Sequence, residues 1–248
     1  MPKKFLTTLG IILLVGIGLI GAKTFIERHN DKSLIPTLPT SKKVKTNAKT
    51  APAVTPVKPS FDKKKYSVDD PASFWVVVNK KRSLKPQTYA PSDLVTVGNG
   101  QQMRQEAASA LTTMFAAAKA AGFTIQADSG YRSYSTQVSV YNNEVKSYGQ
   151  AVADTESAKP GTSEHQTGWA VDVGGGGCHI DNCFGTTAEG QWVAAHAYEY
   201  GYIVRYTAAK QGVTGYRAEP WHIRYIGTGL AAEMHKENVT TLEEFFDL

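Results

Sequence analysis

The 248-residue chain has little cysteine: only Cys178 and Cys183, in Cys-His-Ile-Asp-Asn-Cys. Two thiols do not make a four-ligand thiolate site. No cysteine follows the apolar start of the chain, which excludes a lipid-modified N-terminus. There is no His-Glu-x-x-His, so the common helix-borne zinc protease site is absent. There is no nucleophile elbow either, since Gly161-x-Ser163 runs into Glu164-His165 instead of x-Gly. Residues 66–248 also lack a basic excess, with fourteen Lys/Arg against nineteen Asp/Glu. The net charge of +5 comes from residues 1–65, which carry thirteen Lys/Arg and three Asp/Glu. A nucleic-acid-binding domain would carry its basic residues on the fold itself, so no nucleic-acid partner is expected. No internal repeat is present.

What is there divides into three parts. Residues 1–29 hold a short basic start (Lys3-Lys4), an apolar run over 5–22, and Lys23. Eighteen residues at ~1.5 Å rise give ~27 Å, just enough to cross a ~30 Å hydrocarbon core. A cleavable signal peptide has the same start, but a shorter apolar region and a small-x-small end. Ile20-Gly21-Ala22 offers only half of that end. The expectation is a single-pass membrane anchor with the remainder outside the cell; the alternative is secretion after cleavage. Residues 30–65 are rich in Pro, Thr, Lys and Ser, and read as a tether that cannot bury enough apolar area to offset its ordering entropy. Its charge suits an anionic surface, or simply keeps the linker solvated. A folded domain is expected over 66–248. In an exported domain the close cysteine pair reads as a local disulfide, Cys178–Cys183, with a metal site using both thiols and His179 as the rival.

Within the domain, 74–78 reads as a strand, 79–82 as a turn and 101–121 as a helix ended by Gly122. Alternation over 123–128 predicts a half-buried strand leading into Ser129-Gly-Tyr131-Arg132-Ser133. Ser133 or Ser135 caps a helix reaching about residue 148. Residues 169–173 form a short strand. Thr186-x-x-Glu189 reads as a capping box for a helix ending at Gly201. Strands follow at 202–206 and 221–226, a helix at 229–237, and a short helix capped by Thr241. Strands and helices mix without a regular βαβ repeat, so the fold class is α+β.

The chemistry concentrates in 161–173 and in Glu219-Pro-Trp-His222. In 169–173 side chains alternate, placing Ala170 and Asp172 opposite the core face. Gly168 permits a turn returning His165 towards Asp172. With His222 these make two imidazoles and one carboxylate, the donor set of a hydrolytic zinc site with an open position. Such a site needs a base that is not a ligand, and Glu219, kept extended by Pro220, supplies it. Arg132 offers a forked cation to a substrate carboxylate or a developing oxyanion. Each piece alone is weak: a His/Asp pair seven apart, an isolated Glu-x-x-His, a core Trp221, or an arginine in a structural salt bridge. His29, His179, His196 and His235 have no partner pattern and read as tether, loop or surface residues.

Jointly, Ser163-x-His165-x-x-Gly168-x-Ala170-x-Asp172, then Glu219-x-Trp221-His222, preceded by Ser129-Gly-Tyr131-Arg132, resembles the VanY-type zinc D-alanyl-D-alanine carboxypeptidases. The wider group includes D,D-dipeptidases and L,D-carboxypeptidases, and shares its metal-site frame with hedgehog signalling domains. The resemblance implies a small, mostly antiparallel sheet flanked by helices, with the zinc site at the sheet. It implies His165, Asp172 and His222 as Zn2+ ligands, Glu219 as catalytic base and Arg132 as transition-state stabiliser. Ser163 would bind substrate, with Gln137, Tyr131 and Trp221 as further contacts. The insertion over 174–183 departs from the family's pattern. The implied activity is removal of the terminal D-alanine from peptidoglycan stem peptides ending in D-Ala-D-Ala. Alternatives are an L,D-carboxypeptidase acting on tetrapeptide stems and a non-catalytic wall-binding module. A structural zinc site would need a fourth protein ligand that the sequence does not offer.

Overall fold

A computed structural model describes residues 61–248. The expected anchor and most of the expected tether lie outside the described residues. Packing begins at once: Phe61 stacks on Trp75, and the Lys63 ammonium donates to the carbonyl of Phe245. Phe61, five positions ahead of the expected start, is partly buried and packs against an apolar cluster of the domain.

The elements in chain order are β1 (Leu94–Thr96), β2 (Gln102–Arg104), α1 (Gln105–Ala120), β3 (Ile125–Ser129), α2 (Tyr134–Tyr148), α3 (Gln150–Glu156) and β4 (Ala170–Gly175). There follow α4 (Ala188–His196), β5 (Tyr202–Tyr206), α5 (Gln211–Thr214), β6 (Glu219–Tyr225), α6 (Thr228–Glu237) and α7 (Leu242–Phe245). Strands β3, β4, β6 and β5 lie side by side in that order, every pair antiparallel. β1 and β2 form a separate small ribbon. The α+β class and the small antiparallel sheet are as expected.

The core explains where these elements stop. Leu111, Met114 and Ala118 of α1 share the larger apolar cluster with Trp169, just before β4, and with Val171 and Val173 of β4. A second cluster joins Trp75 and Val77 to Ile226, Leu230, Met234 and Phe245. The 74–78 segment feeds both, with Val76 and Val78 in the first and Trp75 and Val77 in the second. The strand expected over 74–78 is corrected: this apolar run enters the turn at 79–82 without a strand partner. The Arg224 guanidinium takes the partner's place, donating to the carbonyls of Phe74 (3.1 Å) and Val76 (2.8 Å).

Two further boundaries move. The helix expected over 101–121 begins at Gln105, because the backbone at 102–104 pairs with β1 and places the buried Met103 in a strand. The fourth helix is capped by Thr187, whose hydroxyl accepts from the Gly190 amide, one residue beyond the expected cap. Gly190 is required there, since a Cβ would lie 1.9 Å from the Phe184 carbonyl oxygen. Ser133 and Thr241 cap α2 and α7 as expected.

Candidate active site

Strand pairing brings the site together. Asp172 on β4 and His222 on β6 are directly opposed in register, so their side chains share one face of the sheet. His165 arrives from the turn at 164–167, which Gly168 closes at φ +72° while its amide donates to the His165 carbonyl. Nε2 of His165 stands 3.3 Å from Oδ2 of Asp172, and Nδ1 of His222 stands 3.0 Å from Oδ1. One ligand atom from each of the three residues lies within 4.8 Å of the other two. All three side chains are buried.

The remaining ring nitrogens are occupied. Nδ1 of His165 donates to the Gly130 carbonyl at 2.8 Å, and Nε2 of His222 faces Oε2 of Glu164 at 3.2 Å. Each ring thereby keeps its other nitrogen turned towards Asp172. Outer partners that fix imidazole orientation in this way are the usual support of metal-binding histidines. The geometry and the N, N, O donor set fit a divalent cation with an open position.

Glu219, at the start of β6, places Oε2 3.9 Å from Nδ1 of His222. Burial is the main cause that lifts its carboxyl to about 7, with His222 opposing and Asp172 adding to the rise. A carboxyl poised near neutrality can both take and return a proton. Burial opposes ionisation of Asp172 as well, but His165 and His222 outweigh it and hold that carboxyl well below the usual range. For His222 burial acts downward, and its hydrogen bonds to Asp172 and Glu164 overcome it, raising the imidazole to about 9.

Arg132 follows β3, and its amide donates to the His165 carbonyl at 3.1 Å. Its guanidinium is aimed by Gln137 Oε1 (3.0 Å) and Ser129 Oγ (3.1 Å). A cleft of about 270 Å³ is lined by Arg132, Ser163, His165, Asp172, Glu219, Trp221 and His222, among others. Tyr131 and Gln137, expected as substrate contacts, do not line it. Gln137 is 1% exposed, with its amide nitrogen donating to the Ala158 carbonyl, so it positions Arg132. The amide of Tyr131 is tied to the Gln102 carbonyl on β2.

Sequence reasoning missed Glu164, Arg205, Arg224 and Glu243. Both arginines are 0% exposed. Oε1 of Glu164 accepts from Arg205 Nε and Arg224 Nη1, each at 2.8 Å. Arg205 also forks onto Glu243 at 2.6 and 2.9 Å, and Asn79 donates to Glu243 at 2.9 Å. Two cations and two anions thus form a neutral buried network ending at His222. The available signal was an arginine inside each of two apolar strands, Tyr202-Ile-Val-Arg205-Tyr and Trp221-His-Ile-Arg224-Tyr. A buried arginine requires a buried carboxylate.

Cys178 and Cys183 are disulfide-bonded, with Cα atoms 5.9 Å apart, and His179 turns instead to Asp128 at 2.9 Å. His196 pairs with Glu199, and His235 stacks on Tyr198.

Comparison with known proteins agrees with this arrangement. Residues 100–228 match the VanY family, described as D-alanyl-D-alanine carboxypeptidase. YodJ of Bacillus subtilis (strain 168) is 43% identical over 192 residues, 73% of this chain and 70% of YodJ. The solved structure of the LdcB LD-carboxypeptidase superposes with a TM-score of 0.67 at 42% identity, over 71% of this chain and 87% of LdcB. A vancomycin-resistance D,D-pentapeptidase VanY solved with Zn(II) gives 0.60 at 31%, over 68% of this chain and 97% of that one. With the matched region enclosing every residue of the cleft's His/His/Asp cluster and its neighbouring carboxyl, the chain belongs to the VanY family of D-alanyl-D-alanine carboxypeptidases.

Proposed function

We propose that this carboxypeptidase is a zinc enzyme that removes the terminal D-alanine from peptidoglycan stem peptides ending in D-Ala-D-Ala. The observation that carries the reading is the opposed Asp172/His222 pair with His165 beside it and Glu219 left over as a non-ligand carboxyl. His165, Asp172 and His222 would hold Zn2+, which when bound supplies Lewis acidity to the scissile carbonyl and the attacking water. Glu219 accepts the proton of that water and delivers it to the leaving amine. Arg132, aimed by Gln137 and Ser129, stabilises negative charge on the substrate. Ser163 and Trp221 line the cleft and contact the peptide. A wall-binding module without catalysis would have no use for Glu219.

A second reading, cleavage of tetrapeptide stems, is favoured by the greater likeness to the LD-carboxypeptidase LdcB than to the D,D-pentapeptidase. D-Alanine released from pentapeptide and from tetrapeptide stems, with metal content measured on the same sample, separates the readings. Activity on tetrapeptide alone would overturn the first. The apolar run over 5–22 supports a membrane anchor with the catalytic domain outside the cell, where the wall substrate lies; that run lies outside the described residues.

A further inference from the structure

The loop between β4 and α4 carries a feature the mechanism does not use. Ile180 has φ +45°, a left-handed conformation that a β-branched residue adopts only under constraint. The constraint is visible on both sides. Cys178 is buried, exchanges backbone hydrogen bonds with Gly175 at 3.0 and 3.1 Å, and is disulfide-bonded to Cys183. His179 is clamped to Asp128 of β3. Beyond Ile180, Asp181 caps the turn at 182–186, which seats the fully buried Phe184.

That effort leaves Ile180 45% exposed while it lines the catalytic cleft. The inner lining is different: Ser163, His165, Asp172, Trp221 and His222 are all buried. Ile180 is thus an exposed apolar member of the lining, at its rim with the exposed Arg217. A carboxypeptidase keeps one residue beyond the scissile bond, and the longer acyl part must leave the centre along the open cleft. An apolar side chain fixed at that rim against its backbone preference has peptide as its natural partner.

We propose that Ile180, held by the Cys178–Cys183 loop, is a specificity-determining residue that contacts the acyl part of the peptide substrate. The inference rests on the carboxypeptidase reading and adds the residue that senses peptide length. Its contribution is uniform binding, expressed in KM, because an exposed apolar side chain has no group that acts on the reacting bond.

The test compares the stem peptide cleaved best with a truncated version keeping only its last two residues, N-acetylated. For Ile180→Ala, KM for the stem peptide should rise roughly five- to tenfold with kcat within about twofold, the scale of losing partly buried methyl and methylene groups. The truncated peptide should be indifferent to the substitution. Ile180→Val should retain most of the affinity. Cys178→Ser with Cys183→Ser should raise KM in the same direction by releasing the loop. Unchanged KM on the stem peptide, or equal losses on both peptides, overturns the inference. A wild-type enzyme that cleaves neither peptide overturns the carboxypeptidase reading and this inference with it, and is told apart by the wild-type control.

Discussion

Nε2 of His222 stands 3.2 Å from Oε2 of Glu164, while Nδ1 of the same ring stands 3.0 Å from Oδ1 of Asp172. One imidazole is thus held between two buried carboxylates, Asp172 and Glu164. Glu164 is shared with Arg205 and Arg224, so the position of His222, a proposed metal ligand, depends on charges that do not line the cleft.

Glu164→Ala should therefore be costly. It leaves two guanidinium groups, each 0% exposed, without their shared anion. Breaking a buried pair from one side typically costs about 3–5 kcal/mol. Urea unfolding should show a loss of that order, and Glu164→Gln a smaller one. Opposed by burial, Arg205, Arg224 and His222 together hold the Glu164 carboxyl below its ordinary range. Its contribution is present above the ordinary glutamate pKa and is lost as pH falls towards the folded value.

Glu219→Gln should keep the metal site and lose turnover. Removing a positioned general base typically costs about 10²–10⁴ in kcat. D-Alanine release should fall by that range while zinc content, measured on the same preparation, stays at one ion per chain. Full turnover in this variant would refute the assigned role.

Metal uptake should expel a proton from His222. Raised to about 9, this imidazole is cationic at pH 7 in the metal-free protein, yet it must be neutral to ligate. Zinc affinity should climb about tenfold per pH unit from 7 to 9 and then level off. Calorimetry in buffers of different ionisation enthalpy should register about one proton released per zinc at pH 7. The sign for the metal-free fold is opposite. A raised histidine contributes stability that is complete below its unfolded value near 6.5 and lost as pH rises through about 9.

Arg132→Lys should separate charge from geometry. Lysine keeps the cation but cannot reproduce the fork that Gln137 and Ser129 aim. Loss of one aimed donor of this kind costs about 10²–10³ in kcat, and most of that loss is expected here. Gln137→Ala should mimic it in part, since Gln137 acts through Arg132.

The convergence of His165, Asp172 and His222 was legible because these residues are local in sequence or opposed in register. Gly168 marks the turn that returns His165, and the alternation in 169–173 assigns Asp172 a face. The α-helical caps at Ser133 and Thr241 were legible for the same local reason. What was lost was non-local. The segment at 74–78 is a short apolar, β-branched run of the kind strands favour, but its carbonyls pair with Arg224, about 150 positions on, and no periodicity reveals that. Glu164 hid inside the motif as an unassigned position because its partners come from β5, β6 and, through Arg205, α7. The resemblance implies Gln137 as a substrate contact, whereas its burial and its hydrogen bonds to Arg132, Ser157 and Ala158 make it a support for Arg132.

The Arg205–Glu243 fork described above also orders events in time. Every ligand atom is encoded by residue 222, but the far end of the network that steadies His222 is at residue 243, in the last turn of the chain. A chain emerging from its N-terminus owns the complete donor set, with Glu164 and Arg205 already in place in the sequence, some twenty residues before it owns Glu243, the last charge of the network. The network is complete only once α7 has docked, so removal of residues 242–248 should loosen a His/His/Asp cluster that none of them touches.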